Sequence, residues 1–188
     1  AVPIAPDLTA GAGVVPTAKE LQSTGQLSVF SFGQGSFTAT PLQITAMMNT
    51  IAAGGTYRTP RFCCGVTDAD GTVTEKFQLP APRTVCDAAT AKVLRSMLQS
   101  VVEDGIGYAA KPTGGTAAGK TGTAQTGQFD AAGDELLNYW FSGFIPAGDP
   151  QYTITVLQDG VLEPETSSAA IFAQIAAGLQ VIEQPAPD

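Results

Sequence analysis

Apolar and polar positions change period several times along the chain. Around residues 40–55, Leu42, Thr45, Ala46, Met48 and Ile51–Ala52 recur at roughly the 3.6-residue spacing of a helix with one buried face. Thr40 stands where an N-cap belongs, Pro41 suits the first helical position, and Gln43 completes a capping box. Gly54 and Gly55 supply the stop. A second helical stretch starts at Asp87 and ends at Gly105, with Leu94, Met97, Leu98, Val101 and Val102 as its apolar face. A third, SSAAIFAQIAAGLQVI, is capped by Ser167 or Ser168 and stops before Pro185.

Elsewhere the period is two. TYRTPRFCCGVTDADGTVTEKFQL reads as a hairpin turning at Asp70-Gly71. AAGKTGTAQTG alternates as a glycine-bearing strand, NYWFSGFIPA is a strongly apolar strand, and QYTITVLQD alternates again after a turn at Asp149-Pro150. Residues 1–30 are rich in Pro, Gly and Thr and weakly periodic, which predicts an extended lead-in with a short helix near Ala18 to Gln22. No internal repeat is present. Strands joined by short turns must run antiparallel. The expected fold class is therefore α+β, an antiparallel sheet flanked by helices, with residues 31–188 as the core of one domain or part of one.

Composition narrows the chemistry. At 188 residues and 44% hydrophobic, the chain suits a single globular unit or a large piece of one. It begins at Ala1 rather than Met, the start expected of a processed or excised piece, and holds no apolar run near the roughly 20 residues that span a bilayer. A net charge of −8 with scattered Lys and Arg argues against a nucleic-acid partner. There is no histidine, which excludes Ser-His-Asp and Cys-His catalysis and the usual zinc sites. Acid–base work falls to Lys, Asp, Glu, Tyr or Ser. The three cysteines give no disulfide framework; adjacent Cys63 and Cys64 would pair only with strain, and buried or idle thiols are the expectation. Asp130, Asp134 and Glu135 lack metal-ligand spacing and read as a solvated loop, and nothing in the sequence implies a cofactor. Of Trp140 and Phe141, one should face the core and the other pack under a helix. Gln34, in GQG, either lines a cleft or belongs to a turn beneath it.

The stretch GGTAAGKTGTAQTG, residues 114–127, places Lys120 among glycines and threonines with almost no other charge. Its first eight residues match the phosphate-loop pattern G-x-x-x-x-G-K-[ST]. That loop needs a buried strand before it and a helix after it. GIGYAAKPT upstream does not read as a buried strand, and Gly122 and Gly127 downstream discourage a helix. The second reading is Lys-Thr-Gly on a sheet edge. Lys120 supplies a fixed charge, Thr121 and Thr123 supply hydroxyls for a carboxylate, and Gly122 lets a substrate backbone lie against the strand. A backbone N–H beside it can stabilise an oxyanion.

GKTGTAQ, followed by NYWFSGFIP and preceded by FGQGSFTATPLQITAMMNTIAAGG, resembles the C-terminal part of the penicillin-binding-protein transpeptidase domain, of the monofunctional type. The matches fall in the family's order over residues 31–146. The resemblance implies a fold shared with serine β-lactamases and an acyl-serine enzyme. A serine attacks the penultimate D-alanine carbonyl of a peptidoglycan stem peptide, D-alanine leaves, and a neighbouring amine takes the acyl group; β-lactams mimic the D-Ala-D-Ala end. It further implies catalytic roles for Lys120 and Thr123, whose amide would be one oxyanion donor, and substrate contacts from Thr121, Gly122, Thr123 and Gln125. The implied location is the extracytoplasmic face of a bacterial plasma membrane.

The family uses Ser-x-x-Lys, Ser-x-Asn and Lys-Thr-Gly, and only the third is present. The residues three before Lys19, Lys76, Lys92, Lys111 and Lys120 are Pro16, Val73, Ala89, Tyr108 and Ala117. The residues two before Asn49 and Asn138 are Met47 and Leu136. The expectation is the back portion of a transpeptidase domain lacking its N-terminal part, inactive alone, with the missing half of the same domain or a second copy as its partner. Its last strand should have one unpaired edge. The rival reading is a non-catalytic binding or scaffold subunit of the cell-wall machinery. A hydrolytic relative, a β-lactamase or carboxypeptidase, shares Lys-Thr-Gly but fits the TPLQ helix and WFSGF strand less well.

Overall fold

The computed structural model describes residues 3–5 and 8–183. In chain order the elements are β1 (Pro3–Ala5), β2 (Leu8–Thr9), α1 (Thr24–Ser31), α2 (Pro41–Ala52), β3 (Thr56–Tyr57), β4 (Gly65–Thr67), β5 (Val73–Lys76), β6 (Arg83–Thr84), α3 (Ala88–Glu103), a 3₁₀ turn (Tyr108–Ala110), β7 (Ala118–Phe129), β8 (Glu135–Ile145), β9 (Tyr152–Val161) and α4 (Ser168–Glu183). The fold is α+β, as the alternating and helical periods require. No described helix is long and apolar enough to cross a membrane.

The main sheet has the order β7-β8-β9, antiparallel throughout. β8 is its middle strand, and the apolar run Phe141–Ile145 is buried from end to end. Alternation sends its side chains to opposite faces. Phe141 and Ile145 join Val102, Val156, Phe172 and Ala176 in one cluster, on the face covered by α4. Phe141 and Phe172 meet edge to face, with centroids 4.8 Å apart and planes at 60°. Phe144 faces the other way and packs with Met48, Ala52, Ala118 and Ala147 beneath α2. Two layers of helix thus enclose one sheet, and α3 packs along β7.

α2 forms where its signals placed it. The Thr40 hydroxyl accepts from the Gln43 amide at 3.2 Å, and the Gln43 side chain accepts from the Thr40 amide at 2.9 Å. Its seat on the sheet is partly polar. The Thr45 hydroxyl donates to Thr155 at 2.7 Å, Thr155 meets Ser142 at 2.7 Å, and the Thr153 hydroxyl donates to Asn49 at 3.3 Å. Thr45 and Asn49 are one helical turn apart, while Thr153 and Thr155 are two strand residues apart. The two repeats are about 6 and 7 Å, so both contacts form in a single register.

Several expectations need correction. The lead-in over 1–30 is not extended throughout, since α1 occupies Thr24–Ser31, capped by the Ser23 hydroxyl at 3.1 Å from the Gln26 amide. No residue of α1 is buried, so it has no apolar stripe for the sequence to display. Near Ala18 there is only a turn, held by Glu20 and Thr17. The hairpin does turn at Asp70-Gly71, with Gly71 at φ +82°, but only β4 and β5 form it. β3 instead pairs with the more distant β6. On α3, Val102 is buried, yet Met97 is 61% exposed, and of the buried-or-idle alternatives for the cysteines, exposed Cys63 and Cys64 leave only the second. Ser167 caps α4, accepting from the Ala170 amide at 3.2 Å, while Ser168 turns inward to the Tyr139 carbonyl; Pro185 lies outside the described residues.

Two outcomes are expected. Gly119 and Gly143 face each other across β7 and β8, and a Cβ on Gly119 would stand 2.7 Å from the Phe141 ring and from the Ser142 carbonyl. Gly119→Ala should therefore cost about 1–3 kcal/mol or more through overpacking, read as a lowered denaturant midpoint. No described strand pairs with the outer edge of β9. The isolated chain should associate as its concentration rises, measured by sedimentation velocity. A monodisperse, cooperatively melting monomer would contradict that.

Candidate functional site

β7 is an edge strand, paired with β8 on one side only. The residues 114–121 do not curl into a phosphate loop, because β7 runs unbroken from Ala118 and no helix follows Thr121. Lys120 stands opposite Ser142, Thr121 opposite Phe141, Gly122 opposite Trp140, Thr123 opposite Tyr139 and Gln125 opposite Leu137. Residues directly opposite share a face. Lys120 and Gly122 therefore lie on the α2 face with Ser142, and Thr121 and Thr123 lie on the α4 face with Phe141.

The side chain of Lys120 bridges this division. Its ammonium donates to the Thr121 carbonyl at 3.1 Å and to the Thr121 hydroxyl at 3.3 Å, so it folds around the open edge. Lys120 and Thr123 are exposed. Among the described residues no carboxylate bonds to the Lys120 ammonium, and the Thr123 hydroxyl has no partner. An unneutralised cation, two threonine hydroxyls and a backbone edge can together receive a carboxylate carried by an extended chain.

Gly122 differs from Gly119. A Cβ built on Gly122 meets its nearest neighbour, the Trp140 Cβ, at 3.4 Å, which is ordinary contact. The fold would accept alanine there, so packing does not dictate the glycine. Trp140 is half-buried on the α2 face and Phe141 is fully buried on the other.

Gln125 is not free. Its side-chain amide donates to Glu135 at 2.9 Å, and the other Glu135 oxygen accepts from the Gly127 amide at 3.1 Å. These bonds, with the Thr126 hydroxyl on the Leu136 carbonyl and Gly127 at φ +68°, build a bulge between Gln125 and Gln128. Glu135 thus orders the distal half of β7. Glu135 begins β8 rather than lying in a solvated acidic loop, and nothing local in the sequence marks its bond to Gln125. Asp130 closes the same hairpin by accepting from the Ala132 and Asp134 amides at 2.8 and 2.9 Å. Gln34 is half-buried in the turn that ends α1, its amide donating to the Val29 carbonyl at 3.1 Å between Gly33 and Gly35, both at φ +84°.

The family described as the penicillin binding protein transpeptidase domain matches residues 9–177. The chain is 37% identical over 173 residues to penicillin-binding protein PbpB of Mycolicibacterium smegmatis, which covers 84% of this chain and 26% of that protein. It is 34% identical to PbpB of Mycobacterium tuberculosis, over 89% of this chain and 26% of that one. Penicillin-binding protein 3 of Mycobacterium tuberculosis, solved in complex with ampicillin, superposes with a TM-score of 0.76 at 32% identity, over 94% of this chain and 43% of that chain. The D,D-transpeptidase domain of a peptidoglycan glycosyltransferase from Eggerthella lenta gives 0.78 at 26% identity, over 94% and 44%. The chain spans about a quarter of the length of these curated relatives.

Gly122→Ala should melt no lower than the parent chain. It should weaken binding of a peptide ending in a free carboxylate by about tenfold, the worth of one well-formed hydrogen bond. Fluorescence titration with such a peptide gives both quantities' comparison, and equal affinity would contradict the assigned role.

Proposed function

The chain belongs to the transpeptidase-domain family of penicillin-binding proteins, and on that premise we propose that it forms the carboxylate-gripping wall of a peptidoglycan D,D-transpeptidase. The observation that carries this reading is the open edge of β7, where Lys120, Thr121, bare Gly122 and Thr123 follow one another without a protein partner strand. A stem peptide ending in D-Ala-D-Ala lies along that edge as an added strand. Its terminal carboxylate takes the Thr121 and Thr123 hydroxyls and the field of Lys120. The Thr123 amide donates to the carbonyl oxygen as it gains charge in the tetrahedral intermediate.

A serine from outside this chain attacks that carbonyl, the C–N bond to the terminal D-alanine breaks, and the acyl group rests on the serine oxygen. An amine from a neighbouring stem then takes the acyl group and restores the hydroxyl. A β-lactam enters by the same grip, its ring amide in place of the scissile peptide; its C–N bond opens, and the serine stays acylated because the leaving amine remains tethered. The parent works on the extracytoplasmic face of a bacterial plasma membrane. The contacts inside Gln125–Glu135 make Gln125 a support for the edge whose main-chain groups meet the peptide.

A second reading keeps the grip and drops the chemistry: a binding or scaffold subunit of the cell-wall machinery. Only the third of the family's three motifs lies within these 188 residues, which both readings accommodate.

Fluorescent penicillin separates the two. The purified chain should take up no stable label. A protein uniting it with Ser-x-x-Lys and Ser-x-Asn should be labelled, and Lys120→Ala in that protein should slow labelling by about a hundredfold or more. Labelling of the chain alone would overturn its inactivity, and an unlabelled complete protein would favour the scaffold.

A further inference from the structure

Beyond Lys-Thr-Gly, β7 carries a feature that the grip on a carboxylate does not use, the bulge closed by Glu135. Which main-chain groups reach the open edge follows from the glycines. Gly119 and Gly143 are directly opposite, and a Cβ on each would crowd the carbonyl oxygen of the residue before its partner, Ser142 at 2.7 Å and Ala118 at 2.5 Å. Gly65, opposite Lys76, stands in the same relation to the Glu75 carbonyl. There the flanking bond runs outside the pair, from the Phe77 amide to the Cys64 carbonyl at 3.1 Å. Both are therefore non-hydrogen-bonded pairs. Gly119 turns its N–H and C=O away from β8. The register is unbroken to Gln125, so alternation turns those of Thr121, Thr123 and Gln125 outward as well.

The ladder then breaks. Gln125 lies opposite Leu137 and Gln128 opposite Leu136, so Thr126 and Gly127 are extra residues. The amides past that point are spent within the chain: Gly127 donates to Glu135 at 3.1 Å, and Gln128 to the Thr126 hydroxyl at 3.0 Å. The second Glu135 oxygen accepts from the Gln125 side chain at 2.9 Å. One carboxylate at the first position of β8 thus holds the last outward-facing residue of the regular ladder and closes the edge behind it. A charged acceptor makes both bonds stronger than a neutral one would.

We infer that Glu135 is a positioning residue that sets how much of an extended peptide β7 reads. This rests on β7 being the edge that grips a peptide carboxylate. With the terminal carboxylate at Thr121 and Thr123 and the penultimate carbonyl on the Thr123 amide, the peptide runs antiparallel to β7, and its N-terminal side heads towards Gln125. Outward-facing residues of β7 are two apart, so the penultimate residue pairs with Thr123 and the residue two before it pairs with Gln125. There the paired edge ends. The site reads the last four residues of main chain and is indifferent to what precedes them.

Equilibrium dialysis of the chain with radiolabelled acetylated peptides ending in D-Ala-D-Ala, lengthened by glycines, tests this, because it counts bound peptide whether or not the chain associates. From two residues to four, affinity should rise about fivefold to tenfold, the worth of one main-chain hydrogen bond, and from four to six it should stay level. Glu135→Ala should erase the gain at four residues, while the two-residue peptide, which does not reach Gln125, binds as before. Gln125→Ala keeps the main chain but frees it from Glu135. It should also erase the gain at four, and the double variant should lose no more than either single one. Glu135→Gln, which keeps a carbonyl acceptor, should recover part of the gain. Far-UV circular dichroism confirms that each variant is folded, and the parent's own length profile decides the matter where one is not. Equal weakening at every length in Glu135→Ala would make the carboxylate merely structural and overturn the inference. Affinity that never rises, or still rises from four residues to six, would do the same. Binding of no peptide at all would instead overturn the grip itself, and this inference with it.

Discussion

The register between β7 and β8 is the constraint on which the remaining geometry depends. It is set where Gly119 meets Gly143 and the Phe141 ring lies against the space that a side chain on Gly119 would fill. Phe141 is held from below by Phe172 and Val156, so the ring cannot move aside without opening the larger of the two cores. A slip of one residue would send every side chain of β7 to the opposite face. Lys120 would then point under α4, and Ala118 would leave the cluster with Phe144 and Met48. The position of one ammonium is thus a consequence of packing at the residue beside it.

The two faces of the sheet are closed by different means. Under α4 the contacts are apolar, and the fit of Phe141 against Phe172 sets the depth. Under α2 a row of hydroxyls, Thr45, Thr155 and Ser142, is joined by the Thr153–Asn49 bond. Apolar packing tolerates small sliding, whereas hydrogen bonds at 2.7 Å do not. The polar row fixes the helix along the strand direction on the face that carries Lys120. Every member of the row is satisfied, and no buried side-chain polar atom among the described residues lacks a partner.

What could be read from the residues follows from how local each signal is. The capping box of α2 lies within four residues and was legible down to its two hydrogen bonds. The three strands of the main sheet showed themselves by alternation, and β8 by an apolar run that only a strand buried on both faces can hold. α1 escaped because it buries nothing, so its sequence owes no period to a core. The β3–β6 pair escaped because each strand has two residues and the partners are separated by a whole hairpin. Met97 keeps the helical spacing of α3, yet the helix packs only a narrow stripe and leaves that position outside. Lys120, Thr121, Gly122 and Thr123 were identified by their motif. The link from Gln125 to Glu135 could not be, since it depends on a bulge whose place in the ladder no local pattern states.

Gly119 and Gly122 lie three residues apart on the same strand and answer to different demands. The first is glycine because an aromatic ring and a carbonyl occupy the space beside it. The second has room for a methyl group, and its conformation is not one that excludes other residues. If packing alone had shaped β7, Gly122 would gain from a side chain, since glycine within a strand forfeits both packing and conformational restriction. A bare position that the fold does not require lies on an open edge, beside an ammonium that no described carboxylate neutralises and next to the Thr123 hydroxyl, and there it leaves the backbone of β7 uncovered.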